Sequence, residues 1–585
     1  MATIRYRIEK GFEKFAHLIY RNRIKSVLII LIISAAIITQ IPKIQIDTSM
    51  EGFLHDKDPA LLAYNAFRDQ FGRDEVIIVA IQPPDVFNLK FLKKLKTLHE
   101  ELEEKVPYID DITSLINARN TRGEGDDLIV EDLLENWPTN KSDMATLKAR
   151  TLSNPVYKNL MISENGRFTT IVIRTHSLSS VGQETDLMEG FEEASAPAVV
   201  KDASASGRPK YLTDKENSEV VLAVSNVMDS YKAPDFPFWI AGSPAVTHFL
   251  KHAMMKDMQK FLLLATATVA ILLFIMFRRI SGVVLPLVVV ILSLLCTIGL
   301  MAMFQVAIKV PTQILPSFLL AVGVGTSVHI LAIFFQRYRQ SGDKEEAIAY
   351  ALGHSGLAVV MTNVTTASGL MSFSTAEVAP IADIGIFAGI GVILAFVNTI
   401  VLLPALLALV PIPNKKSREG RQKSTVMDRF LASIGNFSTG HPVAIVVVTG
   451  IVIVLSFAAI SKIRFSHHPL GWFPEDNPIR TATEKIDDEL RGSLSLEVVI
   501  DTGKMNGLYD PEILDRLEKA AVYAESIEYE DLFVGKAWSL TTVLKEIHQA
   551  LHENRSEYYR IPRDRNLIAQ EFLLFENSGS DDLED

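Results

Sequence analysis

A chain of 585 residues that is 48% hydrophobic, with a mean hydropathy of +0.21, is too apolar for an ordinary water-soluble protein, and its apolar residues come in blocks. The net charge of −11 carries no nucleic-acid signature and gains meaning only once it is split by compartment. Cys296 is the only cysteine and lies inside an apolar run, which excludes an intrachain disulfide framework and a Cys-cluster zinc site.

Residues 1–25 are basic and amphipathic. Ile8, Phe12, Phe15 and Ile19 fall on one helical stripe beside Arg5, Arg7, Lys10 and Lys14. That pattern fits a helix on the inner leaflet and equally a juxtamembrane helix packed on a bundle. Residues 26–42 form the first spanning segment, read as an uncleaved signal-anchor because no small-residue cleavage site follows and further spans do. Arg21, Arg23 and Lys25 precede it, placing the N-terminus in the cytoplasm. Residues 43–260 form a first extracytoplasmic (periplasmic) domain. Strand-like VIIVAI at 76–81 and TTIVI at 169–173 alternate with helix-like 91–104, an α+β pattern.

Five spans are expected between 261 and 410: at 261–277, at 283–304, and in three apolar runs between 314 and 410 that carry many Gly, Ser, Thr and Asn residues. Gly385 and Gly389 make a small-xxx-small pair, and Gly323 and Gly325 are further helix-packing candidates. A basic linker at 411–442 leads to a seventh span at 443–460. A second α+β periplasmic domain, incomplete, occupies 461–585. Arg278 and Arg279, Arg337 and Arg339, and the group Lys415, Lys416, Arg418, Arg421, Lys423 and Arg429 all fall on one side if the spans alternate, the positive-inside pattern.

The chain repeats itself. KIQIDTSMEGFLHDKDP at 43–59 and KIRFSHHPLGWFPEDNP at 462–478 align without gaps at a constant offset (462 − 43 = 419; 478 − 59 = 419). Lys, Ile, Gly and Pro coincide, Phe53 meets Trp472, and VIIVAI is answered by LEVVI at 496–500, predicted as a strand. The implied fold class is a polytopic α-helical membrane protein with α+β outer domains. One span, an outer domain and five spans begin again at span seven, and the second copy stops inside its outer domain, as a fragment would.

This layout resembles the resistance–nodulation–division (RND) superfamily, in particular its MMPL-type lipid exporters and hopanoid transporters, which share a five-span sterol-sensing-like region with Patched and Niemann–Pick proteins. Several stretches carry the resemblance in order: Gly242-Ser-Pro244 with Asp257 before the second span, GVGTSVHILAIFFQRYR at 323–339, Asp343-Lys-Glu-Glu346-Ala-Ile at capping-box spacing, TNVTTASGL at 362–370, LLPALLAL at 402–409 and the closing LLFENSGSDDLED. The family's fourth span carries an Asp in a Gly-x-Gly-x-Asp or Gly-Asp-x-x-His setting. Here Gly325 and Thr326 hold those positions and neither ionises.

No phosphate-binding Gly-x-x-x-x-Gly-Lys-[Ser/Thr], no Gly-x-Ser-x-Gly and no His-Glu-x-x-His occurs, so no enzyme reading and no cofactor is expected, and an ion gradient or a partner must supply energy. His329 is read first as a neutral histidine bonded between helices and second as a proton carrier. Asp383 is read first as a charge near the outer interface or at a helix start. Asn363, Thr366 and Asn398, together with Thr365, are read first as interhelical bonds and second as a proton or substrate path. Thr326 and Ser327 complete the relay candidates. His55 with Asp56 and Asp58, and His467 with His468, are read as solvated turns and not as a metal site.

The resemblance implies a secondary-active exporter of lipids or other hydrophobic molecules from a bacterial inner membrane, driven by protons, as a homo-oligomer or with an accessory periplasmic or outer-membrane partner. The rival expectations are a lipid- or sterol-sensing protein that binds without pumping and a half transporter that depends on a partner.

Overall fold

A computed structural model describes residues 2–71, 75–124, 127–176, 179, 212–413, 426–463, 469–493, 495–529 and 532–577. From the N-terminus, α1 (Ala2–Arg21) and α2 (Arg23–Ile38) lead through the two-residue strand β1 (Ile46–Asp47) to α3 (Pro59–Phe71), β2 (Val76–Ile81), α4 (Leu89–Lys105), β3 (Ile109–Thr113), the hairpin β4 (Arg119–Glu124) and β5 (Asp127–Asp132), α5 (Lys141–Ser153), β6 (Thr169–Thr175), α6 (Asp214–Ser230) and β7 (Phe238–Ala241). The helices α7 (Ser243–Phe277), α8 (Ser281–Met303), α9 (Leu315–Ser341), α10 (Lys344–Met371) and α11 (Ala379–Leu409) follow, with β8 (Ile308–Lys309) between α8 and α9. Beyond them come α12 (Val426–Gly440), α13 (Pro442–Ile460), α14 (Pro478–Leu490), α15 (Pro511–Glu525), β9 (Glu528–Tyr529), β10 (Leu532–Phe533), α16 (Leu540–Leu551) and α17 (Arg565–Asn577).

The chain divides into two compact units: Met1–Ile46 with Asp257–Phe473, and Asp47–Lys256 with Pro474–Asp585. The first is a helical bundle. Seven helices among the described residues are long and apolar enough to cross a bilayer, in the places expected from the sequence. Their packing is unequal. In α8 to α11 half or more of the most apolar window is buried, whereas the figure is 6% in α2 and α7 and 0% in α13. Of these four, α11 is central: it packs on α8, α9 and α10, and also on α2. Small residues permit this. A Cβ on Gly385 would meet Leu370 O at 2.8 Å, one on Gly389 would meet Met371 Cγ at 2.6 Å, and one on Gly323 would meet Val290 and Ala395 at 3.1–3.3 Å. Gly325 differs: it is exposed, with nothing within 4 Å of an added Cβ, so it is no packing glycine among the described residues.

Local chemistry fixes the turns of the bundle. α9 ends at Gly342, whose φ of 76° suits a residue without a Cβ, and Asp343 then caps α10 by accepting from the backbone N–H groups of Glu345 and Glu346. The expected capping box is only half made, because the Glu346 carboxylate instead takes Arg337. α1 answers the choice between leaflet and bundle in favour of the bundle. It packs along α10 with Ala16 and Ile19 buried, Phe12 lies over Gly356, and His17 Nδ1 is 2.7 Å from the Glu345 carboxylate.

The second unit joins residues from both outer segments. Its sheet has strand order β3–β6–β2–β7, antiparallel throughout, with β2 held between β6 (Val76↔Arg174 to Ile81↔Thr169) and β7 (Ile78↔Ala241 to Ile81↔Phe238). Alternation along β2 sends Ala80 and Ile78 to one face, where Phe168, Trp239 and Ala241 meet Ala482, Ile486 and Leu490 of α14. Ile77, Val79 and Ile81 are fully buried on the other face. α14 has the same length as α3, 13 residues, and starts 478 − 59 = 419 residues after it; α12 likewise ends 440 − 21 = 419 residues after α1. The strand expected at 496–500 does not form. Leu496, Val498, Val499 and Ile500 are exposed, and this segment has no sheet neighbour among the described residues comparable to β6 and β7.

Candidate functional site: a buried polar layer in the helix bundle

An all-apolar helix gives no moment by which to tell its inner face, so the polar residues must be located one by one. Thr326 and Ser327 on α9, Asn363 on α10, Asn398 and Thr399 on α11, and Ser293 and Thr297 on α8 are all buried. They meet as a layer across four helices. The Asn363 amide donates from Nδ2 to Thr326 Oγ1 at 3.3 Å and to Val359 O at 2.8 Å. Ser327 Oγ lies 3.1 Å from Thr399 Oγ1. Asn398 Nδ2 donates to Ser293 Oγ at 2.8 Å, and Ser293 in turn donates to Val289 O at 2.8 Å. Thr297 Oγ1 closes the α8 side by donating to Ser293 O at 2.8 Å. Adjacent pairs on α9 and α11 let each helix reach two neighbours at once.

Asn363, Asn398, Thr326 and Ser327 are therefore interhelical bonds. Thr366 is not: its hydroxyl donates to Thr362 O at 2.7 Å on its own helix, and Thr365 is likewise satisfied by Met361 O and Thr362 O. A backbone carbonyl one turn back is the nearest acceptor for a threonine on a helix, and it wins where no neighbour faces the hydroxyl. Ser293, Thr297 and Thr399 are the members that sequence reasoning missed. Their signal was the four-residue spacing of the first two and the adjacency of Thr399 to Asn398.

His329 stands apart. It is exposed, three residues beyond buried Thr326 and four beyond exposed Gly325, so it follows the Gly325 face, away from the polar layer and from any interhelical bond among the described residues. Asp383 lies in the second turn of α11 and receives a hydrogen bond from Lys309 Nζ at 3.2 Å, with both side chains mostly buried. Paired in this way it is a structural charge at the bundle end. At the opposite end Lys344 Nζ donates to Val410 O, Arg279 donates to Pro413 O, and Tyr338 donates to Ile412 O. The layer itself holds amides and hydroxyls and no ionisable group. It can orient, bond and resist hydration, and it has no proton to give within the pH range of a carboxylate or imidazole.

The outer unit holds its own buried polar seam. Lys536 Nζ donates to the carbonyls of Pro155, Val156 and Lys158 at 2.5–3.0 Å, and burial lowers its pKa to about 8. Burial likewise lifts Glu546 to about 7. His548 Nδ1 is 2.7 Å from Glu571 Oε1. Burial lowers the histidine and lifts the carboxyl to about 7, while Glu571 Oε2 has no hydrogen-bond partner. No group of three His, Cys, Asp or Glu side chains among the described residues could hold a metal ion; His467 and His468 lie outside those residues.

The MMPL family model matches residues 179–445, which take in α7 to α11 and hence the whole polar layer. This is an RND/MMPL-type membrane protein. The MMPL-type chain is similar to a putative membrane protein of Methanocaldococcus jannaschii, 24% identical over 68% of this chain and 93% of that protein. It is also similar to the hopanoid transporter HpnN of Rhodopseudomonas palustris (30% identical, 28% of this chain, 18% of the transporter) and to the mycolic acid-containing lipids exporter MmpL11 of Mycolicibacterium smegmatis (28% identical, 24% of this chain, 15% of the exporter). The match thus spans nearly all of the archaeal protein but less than a fifth of the two named for lipid transport.

Proposed function

We propose that this chain is a secondary-active exporter that moves lipids or similar hydrophobic molecules out of a bacterial inner membrane, with its N-terminus in the cytoplasm and its α+β unit on the periplasmic side. The observation that carries the reading is the polar layer of α8 to α11. It lies inside the segment matched by the MMPL family, in a bundle whose outer helices present apolar faces fit for lipid. The basic ends of the helices support the orientation, since Arg21, Arg279, Arg337 and Lys344 belong to the same end of the bundle as the start of α2. The 419-residue recurrence of α1 and α3 as α12 and α14 supports a repeat of one span, an outer domain and five spans that begins again at α12.

Coupling to the proton gradient needs an ionisable group in the bundle, and His329, near the middle of α9, is the candidate among the described residues. Its exposure supports the reading that it works against a face supplied by a second bundle, from a homo-oligomer or a separate chain, because a lone histidine facing hydrocarbon is costly. A protein that binds lipid without pumping is the rival, favoured by the absence of an acid in the polar layer.

Photoactivatable lipid incorporated with the purified protein tests the substrate class. Cross-links competed by unlabelled lipid and concentrated on α8 to α11 are expected. Labelling no greater than that of an unrelated membrane protein sinks the lipid reading. A His329→Leu variant that keeps those cross-links but loses gradient-driven movement identifies the histidine as part of the coupling.

A further inference from the structure

Inside the outer unit, the two outer segments are joined by one side chain that reaches across. Lys536, just ahead of α16, donates to three backbone carbonyls of the first segment: Pro155 at 2.5 Å, Val156 at 3.0 Å and Lys158 at 2.8 Å. An ammonium has three protons, so the set is complete. α16 then packs on β4, and Asn554 beyond its end holds Gly123 twice, accepting from Gly123 N at 3.0 Å and donating to Gly123 O at 2.8 Å. The Arg119 guanidinium, at the start of β4, lies 3.7 Å from the centre of the Phe575 ring of α17. The hydroxyl of fully buried Tyr157 donates to the Arg119 carbonyl.

Glu546 of α16 sits mostly buried in this seam. Among the described residues it accepts no hydrogen bond and forms no ion pair, because the Lys536 ammonium that attracts it is committed to the three carbonyls. Arg119 is the second cation that acts on it, and Tyr157 and Tyr559 are the phenols on which it acts. Glu525 of α15 accepts from Ala537 N and acts on Lys536 from the other side, while Lys545 pairs with Glu518 beside Tyr559. The neighbouring His548 and Glu571, with His552, Tyr558 and Arg560 around them, lie wholly within the second segment and respond to pH in opposite directions.

A buried carboxyl without a partner is held as the neutral acid, and burial raises Glu546 to about 7. Ionised, it competes with the carbonyls for the Lys536 ammonium, which keeps its charge up to about pH 8. A carboxyl raised in this way favours the closed seam fully below the ordinary carboxylate range. That advantage is lost as pH rises to about 7, by at most about tenfold in the closed-to-open ratio per pH unit.

We propose that Lys536 and Glu546 form a proton-operated clasp between the two outer segments. It is closed, with Lys536 on the 155–158 carbonyls, while Glu546 is neutral, and it is released when Glu546 ionises and draws the ammonium away. The clasp depends on neither the substrate nor the orientation proposed above.

The test uses the full chain in nanodiscs, in a Cys296→Ser background, with spin labels at two exposed positions outside the seam. Lys141→Cys on α5 marks the first segment and Ala520→Cys on α15 marks the second. Pulsed electron–electron distance measurements at about pH 5 and about pH 8 read the separation. A single distance in acid, joined at the higher pH by a longer one whose share grows several-fold, is expected. Glu546→Gln, which has the shape of the neutral acid, should keep the acid distance at both pH values. Lys536→Met should show the longer distance at both. The same distribution at both pH values without these two changes overturns the proposal, as does a pH response that survives Glu546→Gln. Lys536→Met that keeps the acid distance at the higher pH also overturns it, since the lysine would then not be the hook.

Discussion

Asn363 shows what single residues contribute to this bundle. It bonds α9 through Thr326 and its own helix through Val359, and Leu at that position would leave Thr326 without its interhelical partner. Interhelical hydrogen bonds in membranes average about 0.6 kcal/mol and reach about 1.7 kcal/mol. Asn363→Leu is expected to lower thermal stability in detergent by an amount in that range, and a double-mutant cycle of Ser327→Ala with Thr399→Val to give a coupling of similar size. Coupling indistinguishable from zero would mean that the layer does not join the helices. His329 and Thr326 illustrate why the sequence revealed the polar residues but not their grouping. At 100° per residue, positions three and four apart share a face only roughly, and an apolar run on all sides hides which face is buried. In the outer unit the His548–Glu571 pair makes a pH prediction. The carboxyl is raised to about 7 by burial, so its stabilising contribution is present below the ordinary carboxylate range and is lost as pH rises through about 7. The histidine, lowered by burial, contributes above its ordinary value and loses that contribution as pH falls. His552, Arg560 and Tyr558 face the pair. Glu571→Gln removes the carboxyl's part, so the unfolding midpoint of the variant relative to wild type should rise from about pH 5 to about pH 8. A difference that stays flat contradicts the assignment.

Among the elements, α1 was legible as an amphipathic helix but its seat was not, because both a leaflet and a groove accept the same stripe. The groove comes from Gly353 and Gly356 of α10, where an added Cβ would meet Glu13 Cγ at 2.6 Å and Phe12 Cγ at 2.7 Å. Gly356→Val is expected to cost about 1–3 kcal/mol, as overpacking does, and to lift α1 off the bundle. Limited trypsin digestion should then cut at Lys14 and Arg21 faster than in wild type, and unchanged cutting would contradict the docking. The strand elements teach the complementary lesson. VIIVAI and LEVVI are both rich in β-branched residues, yet only the first is a strand, since β6 and β7 flank it with a full antiparallel register. A strand is a property of its neighbours, and pattern alone does not report them. Helices such as α4, whose Leu92, Leu95, Leu98 and Leu102 make a buried 3.6-residue stripe, satisfy their own backbone and were legible from 91–104 alone.

For the whole molecule, the seven apolar helices were the most legible feature, because bilayer thickness sets their length irrespective of tertiary contacts. The sharing of one compact unit by the two outer segments was not legible. It depends on α14 packing against the sheet of the first segment and on Lys536 binding carbonyls nearly four hundred residues away. The central claim, outward movement of lipid, is tested most directly in sealed proteoliposomes that hold the full chain and a fluorescent phospholipid. Its transfer to acceptor vesicles would be followed with and without an imposed pH gradient, acid on the side of the α+β unit. Transfer that exceeds that of protein-free vesicles, accelerates with the gradient and falls back when an ionophore dissipates it is the predicted result. Transfer no faster than from protein-free vesicles with the gradient in place would contradict the account.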